Sequence, residues 1–294
     1  MQSDALVSTD VHWSQSRGCS GELTFLIPDA HLPSKASEVG RDSDGDLVVD
    51  RRDGRRAILR LEVPKASTPL QTVGLQVWAG ALLLADFLLA HPELFSGHIA
   101  LELGSGTGLA GLCLARVAKL TFLTDAEPSV LQQLQANVTL NASLFRYRDA
   151  VRVRCLDWFQ GVPSKEQDAN PHGWGPEDLA ALQQVEVLLA ADVIYDDDLT
   201  AAFLHCACAI LAQAARACSL YLTIEKRFNL GFGDQEPRAQ MYDDFMARVK
   251  HGCHTADHNL RGRLIDITSL PQHFTVERSK HVELWHFELV TAGG

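Results

Sequence analysis

The stretch IALELGSGTGLAGLCLARVAKLTFLTD, residues 99–125, limits the fold more than any other part of the chain. An apolar run ends in a turn with Gly104, Gly106 and Gly108, a helix-patterned segment follows, and a second apolar run ends at Asp125. Strand, tight turn, helix and strand in that order form one parallel βαβ unit, which requires a sheet covered on both faces. Glycines at such a turn let the backbone bend sharply and approach a ligand at the helix N-terminus. The dinucleotide fingerprint places a third small residue where this chain has Leu109, which argues against a pyrophosphate ligand. Asp125 stands about twenty residues on, where a carboxylate accepts hydrogen bonds from both ribose hydroxyls. A cap on the following helix is its alternative role. The turn is thus expected to hold a ribose-bearing ligand other than a dinucleotide.

The flanking sequence continues the alternation. VGLQVWAGALLLADFLLAHP has helical spacing and stops at Pro92. PSVLQQLQANVTLNASL opens a helix at Pro128, and acids in the first turn of DDLTAAFLHCACAILAQA favour another. VRVRCLDW, VEVLLAADVIY and SLYLTIEKR read as strands, a Pro- and Gly-rich loop spans about 160–177, and MYDDFMARVKH reads as a helix. The last β runs, FTVERS and VELWHFELV, predict an antiparallel hairpin. The expected fold is α/β: a doubly wound, seven-stranded, mainly parallel sheet with a closing antiparallel hairpin. Residues 1–70 read as an N-terminal arm with short strands (LTFLI, DLVVD, AILRLEV) and a partly disordered start, and residues 71–294 as the main domain.

Net charge is −11 over 294 residues, which disfavours a direct nucleic-acid partner and suits a basic protein segment. The same charge also simply keeps a protein in solution. Seven cysteines, an odd number mostly in apolar runs, read as buried free thiols in a reducing compartment. The first residues carry no secretory pattern, and ALLLADFLLA is too short for a bilayer and contains Asp86. The glycosylation patterns at Asn137 and Asn141 are therefore expected to stay unused. No metal is expected. Asp42, Asp44 and Asp46 lack a closing Glu, His251, Cys253, His254 and His258 lack a second cysteine pair, and Cys206 and Cys208 point to different sides of a helix.

LELGSGTGL resembles motif I of the seven-β-strand methyltransferases, which bind S-adenosylmethionine. QVWAGALLLADFLL, LDW, ADVIYDDDLT, IEKRFNL and ELWHFEL resemble segments of the family 16 protein-lysine methyltransferases. The resemblance covers about residues 45–294 and implies a class I, Rossmann-like methyltransferase. The implied activity is S-adenosylmethionine-dependent N-methylation of a lysine on another, non-histone protein. It also implies a monomer without a membrane partner, in nucleus and cytosol, although the best basic cluster, DRRDGRR, is interrupted by acids. Transfer to a small molecule or to another protein side chain, and a non-catalytic adaptor on the same fold, are the alternatives.

The resemblance also assigns roles. Trp78 lies beside the methionine end of the cofactor, or packs in the core of its helix. Glu102 faces the cofactor's amino group, Gly104, Gly106 and Gly108 pass beneath the ligand, and Asp125 holds the ribose. Asp157 reads the adenine edge and Trp158 packs on its ring. Ala191 closes the cofactor side of the next strand. Asp192 and Tyr195 are the catalytic pair: a lysine ammonium, with a pKa of about 10.4, must lose its proton to react. An apolar channel disfavours the charged form, Asp192 orients the amine, and Tyr195 offers a π face. Glu225, Lys226 and Arg227 end the following strand on the same rim, either shaping the substrate groove or standing as solvated charges.

Overall fold

The structure, a computed structural model, describes residues 21–29, 56–64, 74–165, 170–228, 237–251 and 258–291. Seven strands form the central sheet: β3 (Ile99–Leu103), β4 (Leu120–Asp125), β5 (Val151–Cys155), β6 (Val187–Ala191), β7 (Ser219–Glu225), β8 (His258–Leu264) and β9 (Val282–Thr291). Their spatial order is β5-β4-β3-β6-β7-β9-β8. The first five run parallel, and β9 lies antiparallel to both β7 and β8. The strand order reverses beside β3, between β4 and β6, so the crevice of the sheet opens at the carboxyl end of β3.

Alternation along the strands explains the two covered faces. Leu101, Leu103, Phe122, Leu188, Leu220 and Phe287 pack under α5 (Asp197–Gln213) and α6 (Gln240–His251). The same layer takes in Leu182 of α4 (Pro176–Leu182) and the fully buried Trp174, whose Nε1–H donates to the Cys155 carbonyl at 2.7 Å. The opposite face carries α1 (Ala79–Ala90), α2 (Leu109–Leu114) and α3 (Pro128–Leu140). Asp196 caps α5 by accepting from Leu199 N–H at 2.9 Å. Asp178 of α4 receives Arg152 and Arg154 of β5, each at 2.6 Å, and the N–H of Gly175. Burial alone would raise its pKa, but Arg154, Gly175 N–H and Arg152 outweigh it and hold the carboxyl below its usual range.

Two segments of the predicted arm, β1 (Glu22–Pro28) and β2 (Arg56–Glu62), pair antiparallel as a separate small sheet. Phe25, Ile27, Leu59 and Leu61 are buried in the same core cluster as α1, α2 and α3. Each such side chain contributes about 1.5–3 kcal/mol when buried. The edge of β2 is satisfied by side-chain amides. Asn141 accepts from Arg60 N–H at 2.9 Å and donates back to its carbonyl at 2.6 Å, and Asn137 accepts from Glu62 N–H at 2.7 Å. These are the two glycosylation-pattern asparagines, and both are buried. The predicted strand DLVVD and the start of the arm lie outside the described residues.

Two expectations are corrected. The closing hairpin pairs β8 with β9, and FTVERS (274–279) is not a strand. That segment instead braces α1: Phe274 is buried edge-on against Phe25 at 5.1 Å, and Arg278 Nη2–H donates to the buried Asp86 at 2.7 Å. In β8, Gly262 lies beneath the ring of Phe287, where an added Cβ would come within 2.4 Å. Cys113, Cys155, Cys206 and Cys218 are free, but Cys208 is disulfide-bonded. Because Cys206 is free, the two cysteines of α5 do not pair with each other.

Candidate active site

The parallel strands β4, β3, β6 and β7 bring Asp125, Leu103, Ala191 and Glu225 to one rim. The glycine turn leaves β3 with Gly104, Gly106 and Gly108 all at positive φ: 68°, 53° and 85°. Ser105 N–H donates to the Thr124 carbonyl at 2.8 Å, and Thr124 N–H donates to Ser105 Oγ at 2.9 Å. These bonds fix the turn to the end of β4. The turn is also approached from above: a Cβ on Gly106 would lie 2.8 Å from the carbonyl oxygen of Gly74. The segment leading into α1 thus packs directly on the turn.

A further glycine matters that the motif reading missed. An added Cβ on Gly111, inside α2, would meet Leu123 Cδ2 at 2.1 Å and Glu102 Oε2 at 2.5 Å. The close helix–strand packing that the dinucleotide fingerprint assigns to its third glycine falls here, two residues beyond Leu109. The available signal was a glycine inside a helix-patterned run, which costs about 1 kcal/mol against Ala and so implies a packing reason.

Asp125 holds the turn as well as facing the rim. Its Oδ2 accepts from Gly106 N–H at 3.2 Å, and its Oδ1 accepts from Ala126 N–H at 2.9 Å and Glu127 N–H at 3.3 Å. Burial raises its pKa, and these backbone bonds partly offset the effect. Glu102 directly precedes the turn on β3. It lies on the helix-covered face of β3, 2% exposed, and its Oε2 accepts from Gly111 N–H at 3.1 Å. Its role in this structure is to brace α2 beneath the turn. Burial pushes its pKa up to about 8. A carboxyl with a folded pKa above its unfolded value stabilises fully below the unfolded pKa and loses that contribution as pH rises through the folded one. Glu102→Gln is therefore expected to gain stability over the parent from pH 5 to pH 8, on the order of 3 kcal/mol. Parallel denaturant-melt curves at the two pH values would contradict this.

Asp157 and Trp158 follow β5. Asp157 Oδ1 accepts from Phe159 N–H and its Oδ2 from Gln160 Nε2, each at 3.0 Å, so the carboxylate caps a short helical turn. Trp158 packs over the glycine turn: a Cβ on Gly104 would lie 3.1 Å from its ring and 3.1 Å from Val193. Its far side meets Phe203 edge-on at 5.3 Å. The indole N–H is buried with no partner among the described residues. Phe159, beside it, is 65% exposed and is a rim aromatic that the sequence reading passed over.

Asp192 follows Ala191 at the end of β6. It is a non-glycine residue at positive φ, 55°, which Asp tolerates better than most residues. The backbone turn buries the carboxylate. Oδ2 accepts from Gly80 N–H at 2.6 Å, and Oδ1 accepts from Glu225 N–H at 3.2 Å. Gly80 is the second residue of α1, whose N-cap, Trp78, makes no side-chain capping bond. Asp192 thus caps that helix from across the site, where the helix dipole favours an anion. A Cβ on Gly80 would lie 2.7 Å from the carboxyl, so the approach depends on glycine. Burial raises the Asp192 pKa to about 6, against the Gly80 bond and the nearby Arg227 charge. Two accepted bonds leave lone pairs for a further donor.

Tyr195 is half-buried. Burial raises its pKa, followed by the charges of Asp125 and Asp196, while Arg227 lowers it. It stands three residues after Asp192, on the turn that leaves β6 at this rim. Trp78 closes the group, with the guanidinium carbon of Arg227 5.2 Å from its ring centroid. Trp78, Asp192, Tyr195, Glu225 and Arg227 form one cluster beside the turn, with Asp157 and Trp158 on its other flank. Lys226 instead leaves the rim for Glu283 and Tyr242.

The residues fit S-adenosylmethionine on three counts. The turn carries three glycines whose backbone a ligand can approach closely, Asp125 retains accepting capacity, and the Trp158 indole N–H, packed over the turn, has no partner among the described residues. Among the described residues no group of three or more His, Cys, Asp or Glu is arranged to hold a metal, and no helix is long and apolar enough to cross a membrane. The candidate ligands Asp42, Asp44, Asp46, Cys253 and His254, and the cluster DRRDGRR up to Arg55, lie outside the described residues.

Comparison with known proteins gives the family of the chain. A family model described as lysine methyltransferase matches residues 64–251. Methyltransferase-like protein 22 of Mus musculus is 38% identical over 247 residues, covering 82% of this chain and 62% of that protein. The Homo sapiens protein of the same name is 35% identical over 250 residues, covering 84% and 61%. Protein-lysine N-methyltransferase EEF2KMT of Homo sapiens is 35% identical over 133 residues, covering 42% and 36%. The chain thus spans about three-fifths of the length of the first two relatives.

Proposed function

The chain belongs to the lysine methyltransferase family, and from that premise we propose that it moves the methyl group of S-adenosylmethionine to a lysine of another, non-histone protein. One observation carries the reading: Trp78, far along the chain from Asp192 and Tyr195, lies at the same rim as they do, beside the glycine turn and Asp125. The bound cofactor supplies an electrophilic methyl on a sulfonium. The chain's own residues do the rest. The turn and Asp125 hold the ribose side, and Asp157 with Trp158 lie toward the adenine side. Asp192, ionised above its pKa of about 6, attracts the incoming ammonium and orients the amine. Tyr195 and Trp78 provide aromatic walls that exclude water and face positive charge. Alignment of the bound groups supplies the remaining acceleration.

The net charge of −11 supports a basic target segment, and a monomer is consistent with the described fold. We propose nucleus and cytosol as its location on the family resemblance alone. Calorimetry tests the cofactor, with binding of S-adenosylmethionine and none of NAD expected. Label from S-adenosylmethionine added to lysate is expected in the protein fraction, and label confined to small metabolites would overturn the reading.

A further inference from the structure

The following inference rests on the lysine-methyltransferase reading and assigns a role to a residue at that site. After Glu225 the chain splits its two basic side chains between opposite directions. Lys226 turns to β9, where it pairs with Glu283 and lies 4.4 Å over the Tyr242 ring. Arg227 turns into the site. Its guanidinium carbon is 5.2 Å from the Trp78 centroid, and its Nε is 3.4 Å from Glu225 Oε2. Glu225 is nearly buried, and Arg227 is about one-quarter exposed, so neither is a freely solvated surface charge.

This is a costly place for a permanent cation. The positive end of α1 points at the same spot, and a substrate lysine would bring a second positive charge to it. A guanidinium stays charged at every relevant pH. It also occupies a face of the tryptophan and neutralises one of the two carboxylates. An ammonium arriving at this site meets a like charge, which favours its neutral form.

We propose that Arg227 is a positioning residue of the amine site: held by Trp78 and Glu225, its fixed positive charge beside Asp192 keeps the substrate lysine neutral. The amine sheds its proton to water, and no chemical partner beyond water is needed. The charged and titratable groups around it come from every adjoining element. They are Glu225 from β7, Asp192, Tyr195 and Asp196 from the turn after β6, and Asp125 from β4, coupled through Tyr195. The N–H groups of α1 face it as well. From the segment before β9, the His281 ring lies 5.1 Å from Phe228, next to Arg227, and Glu283 is engaged by Lys226.

The test uses tritiated S-adenosylmethionine, lysate proteins as acceptors, and initial rates from pH 6.5 to 9.5. In Arg227→Gln the rising limb of the profile is expected about one unit higher than in the parent. That is a roughly tenfold lower rate near pH 7.5 that recovers near pH 9.5. Arg227→Lys, which keeps the charge, is expected to keep the parent's limb. A loss equal at all pH values would mark a purely structural residue and overturn the inference, as would an unmoved limb. A second readout needs no acceptor: carbon-13 titration of the Asp192 carboxyl should have a higher midpoint in Arg227→Gln and an unchanged one in Arg227→Lys. An unmoved midpoint overturns the inference by itself. If the parent labels no lysine but the midpoint moves, the charge assignment stands and the lysine reading fails.

Discussion

Gly106→Ala is expected to weaken S-adenosylmethionine binding at least a hundredfold, measured by calorimetry, in a protein that still folds. Two costs combine. The residue sits at φ 53°, where an L side chain costs about 1–2 kcal/mol. The new methyl would also lie 2.8 Å from the Gly74 carbonyl, a backbone atom that cannot simply rotate away. Relief requires the turn and the segment before α1 to separate, and Trp78 is on that segment. A hundredfold loss corresponds to about 2.8 kcal/mol. Gly97→Ala separates the two costs, because Gly97 has φ 81° but nothing within 4 Å of an added Cβ. It should lose about 1 kcal/mol of stability and no affinity. Binding of Gly106→Ala within threefold of the parent would show that the packing of this segment on the turn does not shape the ligand site.

The second large effect is at Asp192. Asp192→Asn should lower methyl transfer at least a hundredfold while leaving cofactor affinity within about threefold. The amide tolerates the positive φ and keeps one acceptor, so stability should fall by only about 1–2 kcal/mol. Asp192→Ala should cost about 3 kcal/mol or more, since it strands the N–H groups of Gly80 and Glu225 and places an alanine at φ 55°. For that reason the alanine variant is a poor probe of chemistry and the asparagine variant a good one. In the parent the rate should also fall as pH drops through about 6, where Asp192 gains its proton. An Asp192→Asn enzyme with parental rates would remove the carboxylate from the mechanism.

The parts of this molecule that were readable in advance are those in which one local rule acts alone. The apolar runs of β3 and β4, the glycine turn between them and Asp125 at the end of β4 follow from burial on both faces and from backbone freedom. Pro128 and Asp196 mark helix starts for equally local reasons. The parts that were not readable depend on a partner far along the chain. The charged HNLRGRL segment becomes strand β8 through its pairing with β9, where Gly262 lies beneath the Phe287 ring. FTVERS, which alternates like a strand, is claimed instead by Asp86 and Phe25. Asn137 and Asn141 look like surface sequons until the edge of β2 is laid against them. At the site, Asp192 was legible as an acid at a strand end. Its second task, capping α1 through Gly80, belongs to a contact across 112 positions. Glu102 was legible as part of the turn, but its direction was set by Gly111, a glycine the motif did not count.

The central claim is that a lysine side chain receives the methyl group. The most direct measurement is amino-acid analysis of an acid hydrolysate, after lysate proteins are labelled by this chain and S-adenosylmethionine carrying a tritiated methyl. The account predicts label in methyl-lysine, absent when Asp192→Asn replaces the parent. Label in methyl-arginine, methyl-histidine or only in small molecules, with no methyl-lysine, would contradict it.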